Sequence, residues 1–105
     1  METTTKNVKM DYAATRDAAV ILRAFNNKLR TKIIVLLNEK KRMKVTDIYI
    51  KLNMVQSVAS QHLAVLREAN IVIAERDRRS IYYSLNYGRI ADIQTFVSNL
   101  LATAK

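Results

Sequence analysis

Apolar residues recur along most of this chain at the three-and-four spacing of helices, and the period shortens to two only after residue 70. From Asp11 to Phe25 an alanine-rich run places Ala14, Ala18, Ile21, Leu22 and Phe25 at helical spacing. Asn26 or Asn27 can end that helix and cap the next, whose Leu29, Ile33, Leu36 and Leu37 share a face. "NEKKRMK" reads as a basic loop. Thr46 then serves as N-cap, with Asp47 in the first turn, for a short helix through Leu52. After the break "LNMV", a further helix over 56–69 sets Ala59, Leu63 and Leu66 on a buried face and Ser57, Gln61 and Ala64 opposite them. "IVIAER" and "SIYYSL" are β-branched and aromatic runs joined by "DRR", which predicts a two-stranded hairpin. Alternation along its second strand turns Ile81, Tyr83 and Leu85 to the core and leaves Tyr82 outside. Asn86 can cap a last helix that carries Ile90, Ile93, Val97, Leu100 and Leu101. Residues 1–9 read as a flexible N-terminal tail, and residues 10–105 as one domain.

The order α-α-α-α-β-β-α is mainly helical with one β-hairpin. A short helix, a tight turn and a second helix make a helix-turn-helix, and a hairpin directly behind it makes the winged version. In that arrangement the first residues of the second helix face base edges in the major groove. The candidates there are Gln56, Ser57, Val58, Ser60, Gln61 and His62. Gln can pair bidentately with adenine, Ser can reach bases or phosphates, and Val58 can pack on a thymine methyl. At the hairpin tip, Arg76, Arg78 and Arg79 are placed for the adjacent minor groove or backbone, with Arg79 foremost and Glu75 and Asp77 partly offsetting them. Lys40, Lys41, Arg42 and Lys44 lead into the helix-turn-helix and are either phosphate contacts or a solvated loop.

"DIYIKLNMVQSVASQHLAVLREANIV" and "RRSIYYSLN" together resemble the ArsR family of winged-helix repressors, over about Leu29 to Leu85. Gln56, Ser60, His62, Leu63, Leu66, Arg67 and Ala69 match the family's recognition-helix pattern directly. Two family glycines appear here as Asn53 and Asn70, and Asn is the residue after Gly that best tolerates a left-handed backbone. Val55 stands where the family usually has a capping Ser, so the helix either starts later, capped by Ser57, or begins with a poor cap. The family's arsenic-type cysteines would fall in "KVTDI", and its zinc and nickel sites use Asp and His pairs on the last helix, where this chain has Asp92 and no His. The resemblance therefore implies DNA binding without the usual metal sensing.

Composition sharpens this. Eighteen Lys and Arg against nine Asp and Glu give a formal charge of +9 and a pI near 10.1, which favours a polyanionic partner. With no Cys and a single His, neither a thiolate site nor a multi-His metal centre can be assembled, and no metal or cofactor is expected. No nucleophile-base set or phosphate-cradling Gly loop exists, so no catalytic residue is assigned and an enzyme is not expected. No segment approaches a membrane span, which implies a cytoplasmic protein. The terminal helices carry more apolar surface than one small core uses, and Ile21, Phe25, Ile90, Ile93, Val97, Leu100 and Leu101 are the expected dimer interface. The expectation is a homodimeric repressor that reads a palindromic operator in double-stranded DNA through helix 56–69 and the wing at 75–80. Any effector would be a small molecule or a partner protein. Two alternatives stay open: a winged-helix module for non-specific nucleic-acid or protein binding, and a metal sensor with an oxygen-ligand site.

Overall fold

The computed structural model describes residues 17–104. The expectations for the tail, for the domain start at residue 10 and for Ala14 lie outside the described residues. Helix α1 covers 17–25. It is followed by α2 (Lys28–Lys40), β1 (Met43–Lys44), α3 (Val45–Lys51), α4 (Gln56–Glu68), β2 (Val72–Asp77), β3 (Ser80–Leu85) and α5 (Tyr87–Ala104). Five helices and a hairpin stand in the order read from the sequence, with one short strand added.

Each boundary has a local cause. Asn27, in an extended conformation, accepts from the backbone N–H groups of Leu29 at 2.8 Å and Arg30 at 3.2 Å, so it is the Asn that caps α2. Such a cap contributes about 1 kcal/mol. Asn53 and Asn70 have φ of 55° and 61°, the left-handed geometry that their glycine-like role demands. Around Asn70, the N–H of Asn70 bonds to Arg67 O and that of Ile71 to Leu66 O. Around Asn53, the N–H of Asn53 bonds to Ile50 O and that of Met54 to Tyr49 O. Both are Schellman closures, and they set the direction in which the chain leaves α3 and α4. Asn86 Oδ1 accepts from Arg89 N at 3.2 Å and caps α5.

Three readings are corrected. "NEKKRMK" is not one loop: its first residues complete α2, and Met43 and Lys44 form β1, paired antiparallel with Tyr83 and Tyr82. That pairing holds Lys44 extended up to the first turn of α3, so the helix starts at Val45 with Lys44 as N-cap and no side-chain cap, and Thr46 lies inside it. Ile81 has the phase of a core residue but is 42% exposed, because the hairpin runs out beyond the core.

The sheet has the order β1-β3-β2, all antiparallel. Leu85, Val72 and Met43 at its base join Ile33, Leu36 and Leu37 from α2, Ile48 from α3 and Leu63 and Leu66 from α4 in one core. Ile21 and Ala24 of α1 and Ile93 of α5 complete it, and among the described residues it contains no buried polar side chain. Leu22, by contrast, is 67% exposed. The core therefore grips the inner stripe of α4 and the base of the hairpin, and leaves the outer face of α4 and the hairpin tip in solvent.

Candidate nucleic-acid interface

Helix α4 buries Ala59, Leu63 and Leu66, while Gln56, Ser57, Ser60 and Gln61 are exposed. Among the described residues, none of these four polar side chains is hydrogen bonded within the chain. Val58 is half-buried on the flank of the helix rather than at the centre of its outer face. The helix does begin at Gln56: Val55 is the N-cap, its carbonyl accepts from Val58 and Ala59 at 3.1 Å each, and its side chain offers no acceptor. Val55 is itself 68% exposed beside the first turn.

His62 is half-buried and faces the rest of the molecule on one side. Its Nδ1 lies 3.3 Å from Nη1 of Arg30 on α2. Burial, and secondarily the Arg30 charge, hold its imidazole below the ordinary value of 6.5. Nothing in the sequence signals this contact, since the two residues are 32 positions apart.

In the wing, Arg78 and Arg79 form the two-residue connection between paired Asp77 and Ser80. Arg78 adopts φ of 60°, a position where Gly or Asn is the less strained choice, so the tip keeps a cation at a conformational cost. Arg76 Nε donates to Arg78 O at 3.4 Å, and the guanidinium of Arg79 is exposed with no partner among the described residues.

The basic run does not act as one cluster. Lys40 pairs loosely with Glu39 at 3.7 Å. Lys41, with φ of 74°, sends its ammonium to Tyr87 of α5, 3.4 Å from the hydroxyl. Arg42 reaches the other way, across the sheet. Its guanidinium stacks 3.7 Å from the Tyr82 ring centroid and pairs with Glu75 at 3.1 Å and Asp77 at 3.5 Å. Lys44 lies 5.8 Å from the same ring. Cross-strand register puts Lys44, Tyr82 and Glu75 side by side on the outer face of the sheet, which explains why Arg42 finds both an aromatic face and carboxylates there.

The residues expected at a dimer interface fall into two groups in the structure. Ile21 and Ile93 belong to the core of the chain, with 8% and 6% exposure, in one cluster with the buried residues of α2, α3 and α4. The apolar surface left over comes from Leu22, Phe25, Phe96, Val97 and Leu101, with half-buried Ile90 beside the groove between the two helices. The side chain of Leu100 lies outside the described residues. Sequence reasoning also missed Arg89, which donates to Ala69 O at the end of α4 at 3.1 Å and pairs with Asp17 of α1 at 3.3 Å. Among the described residues no three His, Cys, Asp or Glu side chains gather as a metal site, and no helix is long and apolar enough to cross a membrane.

The model of bacterial regulatory proteins of the arsR family matches residues 27–74. The transcriptional repressor PagR of Bacillus anthracis is 33% identical over 85 residues, covering 81% of this chain and 85% of that protein. The transcriptional activator HlyU of Vibrio cholerae is 32% identical over 69 residues, covering 66% of this chain and 63% of that protein. Among solved structures, NolR from Sinorhizobium fredii superposes with a TM-score of 0.70 at 33% identity, over 87% of this chain and 90% of that one.

Proposed function

This chain belongs to the ArsR family of DNA-binding transcriptional regulators, and from that premise we propose that it is a homodimeric, cytoplasmic repressor that occupies a palindromic operator. The observation that carries the proposal is the outer face of α4, where Gln56, Ser57, Ser60 and Gln61 stand free of internal partners on a helix whose opposite face is locked in the core. Free donors and acceptors on a rigid support are what base readout requires. Val58 and His62 flank that face and contribute an apolar contact and an N–H donor. Arg76, Arg78 and Arg79 supply cations at the wing, and Lys40 and Lys44 supply them beside it, in a chain of formal charge +9. Lys41 and Arg42 serve mainly to hold Tyr87 and the wing.

Dimerisation is supported by the exposed apolar face of α1 and α5, which a second copy would cover symmetrically. Repression needs only occupancy, and PagR, the repressor, matches more of this chain than the activator HlyU does. No cysteine-based sensor can be built, because the chain has no Cys.

Selection of bound sequences from a random duplex pool tests the reading. The expected result is a palindrome whose half-sites are separated by about one helical turn, roughly 10 base pairs. An operator-to-random affinity ratio near one overturns it in favour of a non-specific module. Sedimentation of the free protein at micromolar concentration should show a dimer.

A further inference from the structure

One guanidinium, that of Arg30 on α2, touches both a terminal helix and the recognition helix. Its Nε donates to Ala24 O at 3.1 Å and its Nη2 to Arg23 O at 2.7 Å, while Nη1 lies 3.3 Å from His62 Nδ1 on α4. The two carbonyls belong to the last turn of α1, where a helix leaves its C=O groups without intrahelical partners. Arg30 therefore closes the C-terminus of α1 from a neighbouring helix, with its positive charge at the negative end of the helix dipole.

The third contact has a consequence for the imidazole. A guanidinium carries only donors and stays protonated, so the ring nitrogen facing it has to be an acceptor. A cationic ring, or a neutral ring with its proton on Nδ1, would set one N–H against another. Only the neutral form with the proton on Nε2 fits. We infer that Arg30 is a positioning residue for DNA recognition: it locks His62 as the Nε2–H tautomer and joins that ring to the end of α1. The ring then presents an outward N–H donor on the flank of α4, and the part of this inference that concerns DNA rests on the reading of α4 as the recognition helix. Among the described residues, Arg23 from α1, Arg30 from α2 and Glu68 further along α4 are the charged side chains that line the same hollow as His62. Burial first, and then the Arg30 charge, disfavour a second proton on the ring.

Because α1 also contributes Leu22 and Phe25 to the exposed apolar face, a displacement of α1 at a subunit contact would pull on the same guanidinium that orients His62. The coupling runs through one side chain with three fixed acceptors. Lysine keeps the charge but lacks the planar fork that meets all three at once.

The chain has a single His, so the imidazole nitrogens of the uniformly labelled full-length protein can be assigned without ambiguity by NMR, near neutral pH and without DNA. The wild type is expected to show an unprotonated Nδ1 and a protonated Nε2. Arg30→Met and Arg30→Lys, once shown folded by a cooperative thermal transition, should show averaging between tautomers, with titration in the Met variant moving up toward the ordinary value. Operator affinity relative to random duplex should fall about three- to tenfold in both, the scale of one ordinary hydrogen bond. A protonated Nδ1 in the wild type, or an unchanged tautomer in Arg30→Met, overturns the inference. Full retention of both properties by Arg30→Lys overturns its geometric part, since charge alone would then suffice. A protonated Nδ1 in the wild-type spectrum overturns the Arg30 contact even if the variants do not fold, and the loss of Nε2–H preference in Arg30→Met is what ties the tautomer to the guanidinium. If the wild type has no operator preference, the reading of α4 fails while the tautomer measurement still stands by itself.

Discussion

In α4 Gln56, Ser57, Ser60 and Gln61 stand free on a helix anchored through Ala59, Leu63 and Leu66, whereas in the wing both carboxylates are already engaged by Arg42. Glu75 and Asp77 pair with Arg42, and Arg42 lies flat on Tyr82, so the two wing carboxylates are screened before any phosphate arrives. All three members of that network are substantially exposed, and surface pairs of this kind contribute only about 0–1 kcal/mol. The brace therefore shapes the wing more than it stabilises the fold. The contrast separates two tasks. A rigid helix with unsatisfied groups suits discrimination between bases, and a charge-balanced hairpin with cations at its tip suits sequence-independent attraction to the backbone.

The sharpest way to break the contrast is to test the anchoring itself. Leu63→Ala should destabilise the protein by roughly 2–5 kcal/mol in urea denaturation, as truncations of fully buried leucines do. Ile81→Ala, in the wing, should stay within about 0.5 kcal/mol. Equal effects would mean that the wing shares the core and that the two regions are not held differently.

Replacing Gln56 or Gln61 by Ala comes next. At least one of the two should lose about 1–3 kcal/mol per half-site on the best operator and leave random DNA unaffected. If neither changes the preference, base reading lies with Ser57, Val58 and Ser60. Val55→Ser addresses the support rather than the contacts. It supplies the missing acceptor at the N-cap of α4 and should raise stability by about 1 kcal/mol. No gain in thermal unfolding would show that the first-turn N–H groups are already satisfied.

For the wing, Arg79→Ala should weaken binding to all duplexes alike and lower the salt slope by about one per subunit. A change confined to the operator would give the wing a share of sequence reading and blur the comparison. The smallest effect concerns pH. Because His62 titrates below its ordinary value of 6.5 in the fold, the unfolded chain takes up its proton first as pH falls. Stability should therefore decline as pH drops below about 6.5 and level off under the folded value. That decline should vanish in His62→Gln, as measured by denaturation across the window.

The elements legible in the sequence were those with a local cause. Asn27, Asn53, Asn70 and Asn86 could be placed at their caps and turns because their side chains or backbone tolerance act within a few residues. The inner stripe of α4 followed from helical spacing alone. What escaped depended on partners distant in sequence. β1 exists because Met43 and Lys44 pair with Tyr83 and Tyr82, forty residues on, and two residues carry no periodicity of their own. The same pairing displaced the expected cap at Thr46. Ile21 and Ile93 share the helical spacing of their exposed apolar neighbours, and only tertiary packing decides which apolar positions of α1 and α5 enter the core. Arg30 and Arg42 sit in unremarkable basic contexts, and their acceptors come from other elements. The candidate interface was thus readable as a list of residues but not as a pattern of engaged and free ones.

The strand order β1-β3-β2 leaves β2 with one open edge, six residues of backbone donors and acceptors with no neighbour in the sheet. An edge of that length is a template onto which another chain can add, and protomers gathered on neighbouring sites would meet at high local concentration. The outer half of β2 is Glu75, Arg76 and Asp77, and a second copy aligned against it would bring like charges together with little apolar surface to offset them. In a hairpin proposed to lie against DNA, acidic residues look wasteful as ligands for a polyanion. As guards against fibre growth they have a use, and Arg42 lets the wing keep them without turning phosphate away.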